Sequence, residues 1–223
     1  PAMSEKRGLL GSRGLPEVSQ EELDEGDKKM PVMLVGMMLL PRAIGCGVAL
    51  VVFFFGGKSG YQKQMGWLAS KDLGYVYVSA VMLSAMVSWV NTWPMYFKGK
   101  LKLAGNLRAN MQIFKINSED DKIMGRPMPY VVLEDDGPVG MYNRANRSLF
   151  HMNENLGGVL VCALLGGFVF PLPGMICVAL FVAGRIMHQV GYAFGGYGKH
   201  APGFALSMLA TSVLEGLVVV GAL

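Results

Sequence analysis

The sequence predicts an all-α membrane protein with five spanning helices, and three observations carry that reading. Of its 223 residues, 52 % are hydrophobic and only 16 % charged, with a mean hydropathy of +0.38. Several uninterrupted apolar runs approach the roughly 20 residues needed to cross a hydrocarbon core. Most lysines and arginines fall between those runs. Together these features exclude an ordinary soluble domain. They also make the formal charge of +4 a matter of membrane topology, not nucleic-acid binding.

The elements follow in order. Pro1 to Lys29 is polar and acidic, ending in "SQEELDEGDKK", and is expected to be an exposed tail (1–30 with its junction) that need not fold alone. The chain begins at Pro1, not Met, so removal of a targeting peptide is expected. The first span is expected over Met33 to Phe55, within an extra N-terminal unit at 31–57. It contains "LLPRAIG", in which Pro41 lacks a backbone donor and Arg42 is a costly charge. Arg42 either snorkels, pairs with a partner or marks a short surface helix; a tilted span is the preferred reading.

Gly56 to Leu73 reads as a polar connector. The second span, Gly74 to Phe97, carries Tyr75, Tyr77, Trp89, Trp93 and Tyr96 towards its ends, as an aromatic belt would. A long hydrophilic loop, 98–143, runs from "KGKLKL" to the turn-prone "EDDGPVG". The third span is expected from Arg144 to Val169, "PLPG" as a tight turn, the fourth span from Met175 to Phe194 and the fifth from Phe204 to Val220. Cys46, Cys162 and Cys177 all lie in apolar segments, with the spacing of neither a metal knuckle nor a disulfide framework.

Five spans put the tail, the long loop and the last connector on one side. That side then holds fifteen of the twenty Lys and Arg, counting Arg144 and Arg147, against Lys58, Lys63 and Lys71 opposite. The asymmetry predicts a cytosolic, matrix or stromal tail. An organelle membrane, mitochondrial or plastid, is the expected location, with the endoplasmic reticulum as alternative.

Polar residues inside the spans form a pattern. Arg147, His151 and Glu154 lie at i, i+4 and i+7, on one face of the third span. Arg185, His188 and Tyr192, at i, i+3 and i+7, form a similar face on the fourth. A hairpin between these spans brings both faces to one membrane depth, with Lys199 and His200 just beyond. Ionisable residues at such a depth indicate a functional site. A purely structural alternative is an interhelical Arg185–Glu154 pair that fixes the hairpin.

From roughly Gly74 to Leu223 the chain resembles the MAPEG family, four-span proteins that include microsomal glutathione transferases, leukotriene C4 synthase and the lipoxygenase-activating protein. The microsomal glutathione transferase 3 branch is the most similar. That group carries Arg-x-x-x-Asn-x-x-Glu on its second helix and Arg-x-x-Tyr-x-x-Gly-Tyr on its third, with a basic residue seven positions later. The matching positions are Arg147, His151 and Glu154, then Arg185, His188, Gly191 and Tyr192, then Lys199. "LLGG" falls where the family often has small residues. The resemblance implies a four-helix bundle, and the first span stands ahead of it as one extra N-terminal transmembrane helix. The resemblance also implies a homotrimer with glutathione bound between subunits, and Lys199 stabilising the thiolate. A cation beside a thiol favours its ionised, nucleophilic form.

The chain departs from that pattern. His151 stands for Asn, His188 for Tyr, Asn155 for a Tyr found in several members, and Lys199 for the synthase branch's Arg. Lysine lacks the arginine fork. With the added span, tail and long loop, these departures favour a non-catalytic accessory subunit among unlike membrane subunits. A glutathione transferase or peroxidase acting on apolar electrophiles or lipid hydroperoxides is the second reading. A tetrapyrrole subunit, with His151 and His188 ligating haem iron or chlorophyll magnesium, is the third. Gly157, Gly158, Gly166, Gly167, Gly191, Gly195 and Gly196 would admit close helices or a flat ligand.

Other features carry less. "NRS" at Asn146 matches a glycosylation sequon but falls on the basic side. "GGYG" lacks the strand that a dinucleotide fingerprint needs. Glu215 is an isolated acid within a span. The "EDD" clusters at Glu119 and Glu134 read as solvated loop surface. The loop's basic clusters suit anionic lipid headgroups, and bound lipids are expected.

Overall fold

Inside a bilayer every backbone N–H and C=O must find a partner within the chain, so the apolar runs close into helices. A computed structural model describes residues 20–98, 101, 111–117, 122–123, 126–127 and 130–223. Within them α1 spans Gln20–Phe55, α2 Lys58–Ser70, α3 Gly74–Lys98, α4 Gly137–Val169, α5 Pro171–Gly195 and α6 Ala201–Gly221. All except α2 are long and apolar enough to cross a membrane, which gives the five expected spans. The architecture is all-helical and membrane-embedded.

Between α3 and α4 the described loop residues form two short antiparallel ladders. β1 (Phe114–Asn117) pairs with β4 (Tyr130–Leu133), and β2 (Lys122–Ile123) with β3 (Arg126–Pro127). Residues 1–19 of the expected tail, most of "KGKLKL", and Glu119 lie outside the described residues.

Several boundaries differ from expectation. Gln20, the first described residue of this region, is already helical, so the acidic stretch from Gln20 to Lys29 belongs to α1 instead of the expected tail, and the apolar span within α1 starts at Lys28. Pro31 and Pro41 sit inside it without ending it. Arg42 lies along its own helix and donates from Nη1 to the Met38 carbonyl. The polar connector is helical as α2. The third expected span begins earlier, at Gly137, where Pro138 occupies the first turn and needs no N–H partner. "PLPG" is the start of α5; Phe170 alone joins α4 to α5. The same preference for proline in a first turn explains this and the start of α6 at Ala201, before Pro202.

Helices α3 to α6 form the bundle. The α5 helix packs against α3, α4 and α6, and its contact with α6 is the most extensive. Leu83, Met86, Val90, Leu149, Met152, Val159, Val178, Phe181 and Leu214 fill the centre. Along α3, Trp89 stacks on Trp93 at 5.3 Å and Trp93 on Tyr96 at 5.4 Å, then meets Phe194 of α5. Those rings are partly an inter-helix seam as well as a belt. By contrast, Leu34 is the one buried side chain among the described residues of α1.

Candidate functional site

Close approach of α5 and α6 sets the site. A Cβ on Gly184 would lie 2.7 Å from the Ser207 nitrogen, and one on Gly203 would lie 2.6 Å from the Gly184 carbonyl oxygen. Only glycines at this crossing let the two backbones touch, which brings His188 against the start of α6. A second device is the loop after α5. Gly196 and Gly198 have φ of 71° and 91°, the left-handed region that glycine adopts freely, and they fold the chain back beside Gly191 and Gly195.

The result is an open cleft of about 250 Å³. Arg147 and His151 of α4 line it with His188 and Tyr192 of α5. Tyr197, His200 and Phe204 close the other wall. The His151 and His188 rings stack at 5.3 Å, His188 meets His200 edge-on at 5.2 Å, and Tyr192 meets His200 at 5.2 Å. His188 Nδ1 and His200 Nδ1 are buried without a hydrogen-bond partner among the described residues.

Beneath the rings Arg185 is buried, with 2 % exposure. Its Nη1 donates to His151 Nδ1 at 3.0 Å, and its Nη2 to the Ser148 carbonyl at 3.2 Å. A guanidinium can only donate, so Nδ1 of His151 is the accepting nitrogen, and a neutral ring carries its proton on Nε2. The anticipated Arg185–Glu154 pair does not form. Glu154 is on the outer face of α4 near Arg147, at 3.8 Å, and both side chains are about half-exposed.

Of the residues singled out from sequence, Arg147, His151, His188 and Tyr192 share the cleft, and Arg185 supports it from below. Glu154 sits at the rim, outside the lining set. Lys199 is exposed, its stem lying over Gly195, and His200 occupies the wall beside it. Asn155 donates to the His151 carbonyl at 2.7 Å.

A neighbouring groove of about 270 Å³ shares His151 and Phe204 with the cleft and continues along α6 past Ser207, Thr211 and Ser212 to Glu215. Arg185 and Phe181 line this groove too, and the two spaces adjoin at His151 and Phe204.

Sequence reasoning missed the residues that brace this end. Gln189 is buried and donates to the Val90 carbonyl at 2.9 Å, tying α5 to α3. Arg144 donates to the Tyr192 and Ala193 carbonyls at the end of α5 and pairs with Asp135 at 2.8 Å. Asn143 bonds both backbone groups of Ile113 and the Glu134 carbonyl, and so fastens the loop to α4. Glu134 is therefore buried, not solvated, and accepts from the Asp135 and Asp136 N–H groups. The polar run "NRANR" inside an otherwise helical pattern was the available signal.

A family profile for the MAPEG family matches residues 73–220, the four helices of the bundle with the segments that connect them. The chain belongs to the MAPEG family. No curated protein matches it. As a MAPEG protein it carries α1 and α2 ahead of the matched region, and the cleft lies wholly within that region.

Proposed function

We propose that this MAPEG protein is a membrane glutathione transferase or peroxidase that acts on apolar electrophiles or lipid hydroperoxides. One observation carries the reading: Arg147, His151, His188 and Tyr192, from two helices, meet in one cleft that opens out of the bundle. Glutathione has two carboxylates and an amine. Arg147 suits a carboxylate, Glu154 at the rim suits the amine, and Tyr192 suits a backbone amide of the tripeptide. Arg185 positions His151 and does not itself reach the cleft lining. The imidazoles of His188 and His200 are of a type that accepts a thiol proton. The thiolate sulfur then attacks an electrophilic carbon, forming a C–S bond as the leaving group departs with its electron pair. Apolar substrates would enter from the lipid past Phe204.

A second reading, the accessory subunit among unlike membrane chains, is favoured by the inward commitment of Arg185 and the outward placement of Lys199. Tetrapyrrole ligation has less support, since the His151 and His188 rings meet face to face instead of aiming nitrogens at a shared centre. Conjugation of glutathione to a chlorinated nitrobenzene by the purified protein in detergent tests the reading. Turnover that His188→Phe abolishes supports it. A folded protein with no turnover, recovered at fixed stoichiometry with unlike chains, would favour the accessory role.

A further inference from the structure

The short helix α2 joins two consecutive spans, and little of the described chain covers it. It runs from Lys58 to Ser70 with none of its residues buried. Tyr61, Met65 and Trp67 are exposed, and Leu68 is half-buried. Its main helix contact is the end of α1.

Sharp turns at both ends set its place. After Phe55 the chain turns at Gly56 and Gly57, and Gly57 has φ of 108°, which glycine adopts freely. At the far end the Leu73 N–H donates to the Leu68 carbonyl at 3.1 Å, across Asp72 with φ of 56°. Gly74 then begins α3. Because α1 and α3 are consecutive spans, both turns lie at the same membrane face. A helix about 20 Å long and tethered at both ends lies along that face. Contacts fix its level. The Tyr61 ring stacks on Phe53 at 6.4 Å, and Lys58 Nζ lies 5.2 Å over the Phe54 ring. Both phenylalanines belong to the last turn of α1.

Tyr61 therefore marks the side of α2 that turns towards the span, and Met65 and Leu68 share it at i+4 and i+7. Ser59 and Lys63 lie on the opposite side. Lys58 and Lys71 stand at the two ends of the helix, and no acidic residue occurs between Lys29 and Asp72. An uncovered apolar stripe bordered by cations fits the headgroup layer, where rings and long basic chains reach both phases and anionic lipids attract each lysine. We propose that α2 lies in the headgroup layer and binds anionic phospholipid. Lys58 and Lys71 meet the phosphates, while Tyr61, Met65 and Leu68 dip towards the acyl chains. The lipid then steadies the far end of α1, where Phe53 meets α2. Tethering makes the contact intramolecular, so individually weak lysine–phosphate contacts suffice. The inference is independent of the glutathione reading, and α2 lies outside the family-matched region.

The test places a tryptophan on each side of α2. Met65→Trp and Ser59→Trp are made in the full chain with Trp67→Phe, and the emission of the Trp67→Phe parent is subtracted. Vesicles are built from lipids with bromine on their acyl chains, either phosphatidylcholine alone or mixed with phosphatidylglycerol. The Met65→Trp signal should be quenched by bromine and resist acrylamide, and Ser59→Trp should do the reverse. Phosphatidylglycerol should strengthen the bromine quenching about twofold, and Lys58→Gln/Lys63→Gln/Lys71→Gln should remove that gain. Native Trp67, read as the difference from Trp67→Phe, reports the same charge dependence without an added ring. Circular dichroism on heating confirms that each variant is folded. Acrylamide quenching at both positions without a bromine effect would overturn the proposal. So would bromine quenching indifferent to phosphatidylglycerol, a gain that survives loss of the three lysines, or protection of both positions from both quenchers, the mark of a second chain on α2.

Discussion

Gly184 and Gly203 bring α5 and α6 into backbone contact, while α1 leaves almost all of its described side chains uncovered. Both regions cross the membrane, and both contain an arginine. In the bundle Arg185 is enclosed and spends its donors on His151 and Ser148. In α1 Arg42 turns back on its own helix. The difference lies in what surrounds each cation. Apolar packing alone gives little driving force between helices in lipid, so small residues and polar contacts hold the bundle together. In α1 the small residues Gly36, Gly45 and Gly47 meet nothing within 4 Å of a notional Cβ, so they bring no neighbour close.

That contrast can be broken most forcefully at the crossing. Gly203→Leu must push α6 away from the His188 backbone, and we expect a loss of about 3 kcal/mol in detergent, followed by tryptophan fluorescence on heating. Next in size, Arg185→Ala frees His151 and leaves the Ser148 carbonyl without its partner. Glutathione binding should weaken at least about tenfold, equivalent to roughly 1.4 kcal/mol, in a calorimetric titration. Gln189→Leu removes the donor to the Val90 carbonyl, and the melting transition should fall by about 1 kcal/mol. At the other extreme, Leu50→Ala on the exposed face of α1 should change the same transition by less than about 0.5 kcal/mol. A large effect there would mean that α1 is integral to the monomer and would erase the comparison.

The spans were legible in the sequence because apolar length alone dictates them; the ends were less so. "PLPG" reads as a turn from its prolines, yet proline at the first position of a helix loses nothing, and α5 simply starts there. The site was legible as spacing. Of the two faces, Arg147, His151, His188 and Tyr192 line one cleft, whereas Glu154 lies outside the lining and Arg185 beneath it. Which of them pair was not legible, because pairing depends on helix rotation, and the rotation is fixed by the glycine crossing. Of the glycines named from the sequence, Gly166, Gly167, Gly191 and Gly195 meet close neighbours and Gly157 and Gly158 meet nothing within 4 Å of a notional Cβ, while Gly184 and Gly203, which form the crossing, are not among them. Gln189 and Asn143 were missed for a similar reason. Their partners are backbone carbonyls on other elements, and no side-chain pattern announces those.

The cleft's chemistry also rests on that geometry. Tyr197 joined the wall only because the loop after α5 folds back over Gly191 and Gly195. His200, rather than Lys199, faces inward from the same turn.

Calorimetric titration of glutathione into the purified protein, beside Arg147→Ala, tests the central claim most directly. Arg147 is half-exposed at the rim, so its loss leaves the packed core intact. The account predicts saturable binding at millimolar or lower concentration in the native protein and marked weakening in the variant. A folded native protein that takes up no glutathione at several millimolar ligand, or binding that Arg147→Ala leaves unchanged, would contradict it.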